Sequence, residues 1–136
     1  MKAKATYSPT MWDEKPYEQV SPTMKLTKAS VEFAFHGQME GHGLVEYLMF
    51  YEYFDESDPY KSNATYVGLI RFRGELNGNA GCFTMEDRGT FEGGAANSTL
   101  TIIPGSGTDK LKGITGTGKY AATQKACECE LNYELK

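Results

Sequence analysis

No stretch of the 136 residues approaches the roughly 18 consecutive apolar positions that a membrane-spanning helix requires, so none is expected and no membrane partner with it. Basic residues are also in short supply: 14 Lys and Arg stand against 18 Asp and Glu, for a formal charge of -4. A protein that grips a nucleic-acid backbone needs Lys and Arg clustered on one face, and their scatter here excludes that class. Cysteine is limited to Cys82, Cys127 and Cys129, an odd number without the spacing of a disulfide framework. Cys127 and Cys129 fall two apart on an apparent strand and project in parallel, which argues against a mutual disulfide or a zinc site. All three are expected to be buried as small apolar side chains. The first residues, MKAKATYSPTMW, lack the apolar core of a secretory signal, so the expected location is cytoplasmic. In that setting the acceptor-like triplet Asn63-Ala64-Thr65 has no consequence.

Glycine and aromatic residues are plentiful, with 15 Gly, nine Tyr and seven Phe. Such a composition suits a soluble β protein, and a chain of this length closes a single core, so residues 1–136 are read as one domain. The densest glycine run, residues 89–118, reads as strand, corner and strand, because glycine reaches dihedrals that other residues resist. Period-two alternation is clearest over residues 26–36, where Val31, Phe33 and Phe35 oppose Lys28, Ser30 and Glu32. Further strands are expected at residues 4–12, 44–54, 65–76, 80–87, 90–103, 110–121 and 125–135. Residues 12–17 read as a polar turn, 16–23 as an irregular connection with room for one helical turn, 37–43 as a turn and 55–62 as a hairpin loop. Asn77-Gly78-Asn79 is a strong hairpin signal. About eight strands joined by hairpins make an all-β chain, a closed antiparallel eight-stranded β-barrel.

One of these strands is apolar on both faces. In residues 44–54, Leu44, Leu48, Phe50 and Phe54 alternate with Val45, Tyr47, Met49, Tyr51 and Tyr53. A strand of this kind is covered on both sides. With no helix available, the expected cover is another subunit, which buries Tyr47, Met49, Tyr51 and Tyr53 or else the opposite face.

Several motif-like fragments carry no chemistry. GITGTGKY, residues 113–120, ends in Tyr120 where a phosphate loop needs Ser or Thr, and no helix follows it. Ser106 lacks the outer glycines of a hydrolase elbow. His36 and His42 could meet across a hairpin with Glu40, but that supplies too few ligands for a metal, so neither a metal nor a cofactor is expected. Glu128, Glu130 and Glu134 are read as an exposed outer face; were that face interior, Arg71 and Arg73 would be their partners.

Gly89-Thr90-Phe91, Gly93-Gly94-Ala95 and Pro104-Gly105-Ser106-Gly107-Thr108, then Leu111, Gly113, Gly116 and Gly118, form a pattern that extends through most of the chain. Trp12-Asp13-Glu14, Pro16-Tyr17, residues 41–43, Glu46-Tyr47-Leu48 and Val67-Gly68-Leu69 belong to it. In these features the sequence resembles a family of small bacterial proteins of unknown function grouped with the allene oxide cyclase-like barrels. The resemblance implies an eight-stranded antiparallel barrel, commonly oligomeric, without an established activity. The chain departs from that pattern at Ile70, before Arg71, where the family often has an acidic residue, and at Glu86-Asp87, where it often has Gln-His.

The candidate ligand site comprises Trp12, Glu14 and Tyr17 near one barrel mouth, with Glu46, Tyr47 and Arg71 on central strands. Aromatic walls with one or two carboxylates suit a small, partly apolar ligand, and lipophilic carboxylic acids are the natural first probes. No catalytic residue is assigned. Three functions stay open: a barrel that binds a small lipophilic molecule, an isomerase or cyclase of the allene oxide cyclase type, and an oligomeric protein whose barrel is filled by its own side chains. Eight strands permit a filled or a hollow interior, so strand number does not choose.

Overall fold

The computed structural model describes residues 1–123 and 126–136. Eight strands form one antiparallel sheet: β1 (Lys2–Gln19), β2 (Lys25–Gly37), β3 (Met39–Tyr53), β4 (Asn63–Leu76), β5 (Asn79–Glu92), β6 (Ala95–Ile102), β7 (Thr115–Ala122) and β8 (Cys127–Glu134). Each pairs with the next in sequence, and β1 also pairs with β8, so the sheet closes into a ring. No helix among the described residues is long and apolar enough to cross a membrane.

Inward-facing residues alternate along every strand, and aligned ones meet around the ring. Val31, Val45, Ile70, Met85 and Ile102 form one such layer, linked by the registers of five successive strands. Toward the end where β2 turns into β3, the interior is filled. Phe72 and Phe83 stack there with Leu76 and Met39, and the connection after β6 folds across to bury Leu111 and Ile114. The chain bends sharply at this end. Gly41 and Gly74 face each other across the β3–β4 ladder, and a Cβ on Gly41 would lie 2.2 Å from the Arg73 carbonyl oxygen.

The strands are unequal: β1 to β5 run 13 to 18 residues, and β6 to β8 run eight each. At the filled end β5 runs past β6, whose pairing with it covers only Met85–Glu92, and at the opposite end β1 runs past β8. There β1 pairs with β8 only from Lys2 to Thr6, while its pairing with β2 continues to Gln19.

Several boundaries differ from the sequence reading. The polar turn expected at residues 12–17 is instead part of β1, held by pairs such as Trp12 with Val31 and Glu14 with Ala29. Pro9 does not end the strand. Its missing N–H is absorbed where the register shifts between Pro9 and Met11. The helical turn allowed in residues 16–23 is absent, because the strand continues to Gln19 and a short bend at residues 21–23 leads into β2. The turn expected at residues 37–43 shrinks to the link between Gly37 and Met39. The strand expected at residues 90–103 is two: Gly93 and Gly94, at φ of 61° and 77°, make the two-residue turn between β5 and β6. Residues 109–111 form a 3-10 turn ahead of β7, not strand. The expected start of the last strand, Lys125, lies outside the described residues.

The ring also separates the two apolar faces of β3. Val45, Tyr47, Met49 and Tyr51 point into the interior and are buried there, so these residues are not covered by another subunit; Tyr53 is exposed. Leu44, Leu48 and Leu69 on the outside are more than half exposed, at 57%, 52% and 54%.

Candidate functional site

At the overhanging end the interior holds a cavity of about 440 Å³. Tyr7, Trp12, Phe33, Tyr51, Phe54 and Phe91 wall it, and Pro59 and Tyr60 of the β3–β4 connection lie at its rim. Asp58 holds that connection in place by capping the 3-10 turn through its contact with the Tyr60 N–H. Much of the wall comes from inward-facing aromatic residues of the strands, Tyr7, Phe33, Tyr47, Tyr51 and Tyr66, whereas the filled end combines Phe with Leu and Met.

The cavity ends on a layer of tyrosines. Tyr47 donates to Asp87 Oδ2 at 2.5 Å, and the Tyr47 and Tyr120 hydroxyls are 3.0 Å apart. Tyr120 donates to Tyr66 at 3.3 Å, and the Tyr66 hydroxyl lies 2.6 Å from Ser98 Oγ. Tyr47, Tyr66 and Tyr120 line the cavity, whereas Asp87 sits behind them, wholly buried. Burial pushes the Asp87 carboxyl above its ordinary value, and the Tyr47 hydrogen bond, with Ser98 and Tyr120 nearby, opposes that shift. Ser98 and Tyr120 act at longer range, because Oδ1 has no partner at hydrogen-bonding geometry. Burial likewise raises the four tyrosines Tyr7, Tyr47, Tyr66 and Tyr120, which keeps them neutral through the physiological range.

Gly89 makes room for this network. A Cβ there would stand 2.7 Å from the Tyr66 hydroxyl and 2.8 Å from Ser98 Oγ.

The structure brings together part of the expected constellation. Trp12 forms wall at the mouth, Tyr47 is in the tyrosine layer, and Glu14 links two wall residues. Glu14 accepts from Trp12 Nε1 at 3.0 Å, from Tyr51 at 2.7 Å and from Thr27 Oγ1 at 2.7 Å. Tyr17 lies farther out and is exposed. Glu46 and Arg71 belong to the outer surface, where Glu46 accepts from Ser30 at 2.6 Å and Arg71 reaches Thr84 at 3.4 Å. Sequence reading missed Tyr7, Tyr66, Asp87 and Tyr120. A signal for Asp87 was present, since it continues the inward series of Phe83 and Met85 as a lone acid on an apolar face.

The other motifs settle on the surface. His36 Nδ1 is 3.2 Å from Glu40, and His42 Nδ1 is 3.9 Å from Glu32, so the two rings engage different carboxylates. No group of three or more His, Cys, Asp and Glu that could hold a metal gathers among the described residues. Glu128 and Glu134 are exposed, and Glu130 lies 3.8 Å from Lys2. The cysteines are free: Cys129 is buried and pushed up to about 12, while Cys82 and Cys127 are only half-buried. A larger hollow of about 800 Å³ lies against the outer side of β6 to β8 and β1, lined by Lys4, Thr6, Lys119, Glu128 and Glu130 among others. Its lining mixes basic and acidic residues, whereas the smaller cavity has the largely apolar, aromatic wall of a ligand site.

The molecule is thus a closed antiparallel sheet, filled at one end and hollow at the other, with a polar layer between. The chain belongs to the DUF3224 family of proteins of unknown function, whose model matches residues 3–134. A crystal structure of a DUF3224 protein of unknown function from Shewanella oneidensis MR-1 has the same fold, with a TM-score of 0.74 and 19% identity over 100% of this chain and 98% of that one. No curated protein matches the chain.

Proposed function

We propose that this protein binds a small lipophilic molecule in the cavity at the open end of its ring. The observation that carries the reading is the division of one interior into two halves. Close-packed Phe, Leu and Met occupy one, and an aromatic-walled space of about 440 Å³ occupies the other. That volume lies within the roughly 300–1,000 Å³ of small-molecule sites, and the tyrosine layer supplies the few polar groups that such sites use for orientation. Titration with butylbenzene tests it: Trp12 emission should change saturably, and Glu14→Gln should alter the affinity by loosening Trp12 and Tyr51. A response that is absent or never saturates would remove the reading.

The closed eight-stranded arrangement supports the kinship with allene oxide cyclase-like barrels. Binding is nevertheless preferred over isomerisation, because the two acids beside the cavity, Asp87 and Glu14, are both bonded to wall residues and neither is part of the lining. Three free thiols support a cytoplasmic setting.

Self-association is a second part of the proposal. On the outer face, Leu44, Glu46 and Leu48 lie beside Arg71, Leu69 and Val67 in register. A two-fold contact presents the same patch from both copies. Glu46 of one copy then meets Arg71 of the other across leucines, and this charge complementarity favours a second copy as the cover.

A further inference from the structure

Among the described residues that line the cavity, one buried side-chain polar atom has no hydrogen-bond partner in the protein, the hydroxyl of Tyr7. Tyr7 is only 6% exposed. Its ring is held edge-on by Phe33 at 5.1 Å and by Tyr120 at 5.2 Å, so the hydroxyl has a fixed position. A buried hydroxyl without a hydrogen bond is costly, and the tyrosines beneath it are engaged with one another and with Asp87 and Ser98.

The same wall holds no Lys, Arg, His, Asp or Glu among its described residues. The charged groups around it are each engaged with a side chain of the protein. Asp87 lies behind the tyrosine layer, Glu14 is bonded to Tyr51, and Lys25 is set over the Phe54 ring at 3.5 Å from its centre. An ionised carboxylate would lose its hydration here and gain a hydroxyl or two in place of a counter-charge. A neutral oxygen acceptor loses far less and satisfies Tyr7.

Building on the binding reading above, we infer that the cavity selects an uncharged, largely apolar ligand bearing a carbonyl-type oxygen that accepts from Tyr7, and that it discriminates against lipophilic carboxylates. This narrows the ligand class away from the carboxylic acids that the sequence suggests.

The test uses three molecules of nearly one shape: 4-phenyl-2-butanone, 3-phenylpropanoate and butylbenzene, titrated by calorimetry into the full chain and into Tyr7→Phe at pH 8. The ketone should bind the native chain at least about tenfold more tightly than the carboxylate. Tyr7→Phe should weaken the ketone by about two- to tenfold, the range of one neutral hydrogen bond, and leave butylbenzene unchanged. Its melting temperature should not fall, since the hydroxyl has no partner in the protein. Carboxylate binding as tight as the ketone's, an equal effect of Tyr7→Phe on all three molecules, or a marked loss of its stability would each overturn the inference while leaving the cavity reading standing. Binding of none of the three would overturn both.

Discussion

Asp87 is a wholly buried carboxyl, and its protonation should be visible in stability. Its folded pKa is raised above the ordinary carboxylate value, so the unfolded chain releases that proton first as pH rises. The Asp87 contribution to stability is therefore intact below the unfolded pKa of about 3.9 and declines as pH climbs from there through the raised folded value. Asp87→Asn removes this decline. The difference in melting temperature, variant minus native, should grow more favourable to the variant from pH 4 upward, and a flat or reversed trend would contradict the assigned environment. Gly89 gives a steric counterpart. With a Cβ 2.2 Å from the Asn97 carbonyl oxygen and against the Tyr66 and Ser98 oxygens, Gly89→Ala should cost about 1–3 kcal/mol in denaturant unfolding. Tyrosines such as Tyr66 and Tyr120 were invisible as a group in the sequence, because 54 residues separate them and only ring closure brings their hydroxyls to 3.3 Å. Glu46 and Arg71, adjacent to recognisable residues, proved to face outward, since alternation places Tyr47 and Ile70 on the inside.

Among the elements, the hairpin between β4 and β5 does two jobs. Asn77 and Gly78, at φ of 49° and 85°, form its two-residue turn, and both φ values are of the sign such turns need. The Asn77 side chain also donates to the Lys2 carbonyl at 3.1 Å and to the Tyr133 hydroxyl at 2.6 Å, tying the turn to the β1–β8 closure. Asn77→Gly keeps the turn and loses only the two bonds, for an expected cost of about 1–3 kcal/mol. Asn77→Ala adds the strain of a positive φ, so it should unfold at lower denaturant than Asn77→Gly; equal midpoints would show that the turn tolerates any residue. The turn itself was legible, because Asn-Gly has a local signature. The full length of β1 was not: Pro9, Pro16 and two register shifts interrupt the alternation that marks a strand, and the pairing with β2 that restores it is a non-local contact.

For the whole molecule, ring closure was legible from the number and spacing of hairpins, whereas the split interior was not, because it depends on which strands overhang. The association proposal belongs at this scale. Sedimentation at micromolar concentration should give a species near twice the 15.1 kDa chain mass. Arg71→Glu should dissociate it, and adding Glu46→Arg should restore it; a native chain that sediments as a monomer would refute it.

The uneven ladder of β1 has a consequence of another kind. Beyond Thr6 the strand has β2 on one side and no strand partner on the other among the described residues, so residues 8–19 form an unpaired edge of the sheet. Exposed edges recruit strands from neighbouring molecules. This one carries the usual deterrents: Pro9 and Pro16, which cannot donate to a new ladder, the two register shifts beside them, and the charges of Lys15 and Glu18. Replacing both prolines with valine should therefore leave the native fold in place yet hasten fibril growth on prolonged agitation, read by thioflavin fluorescence against the native chain.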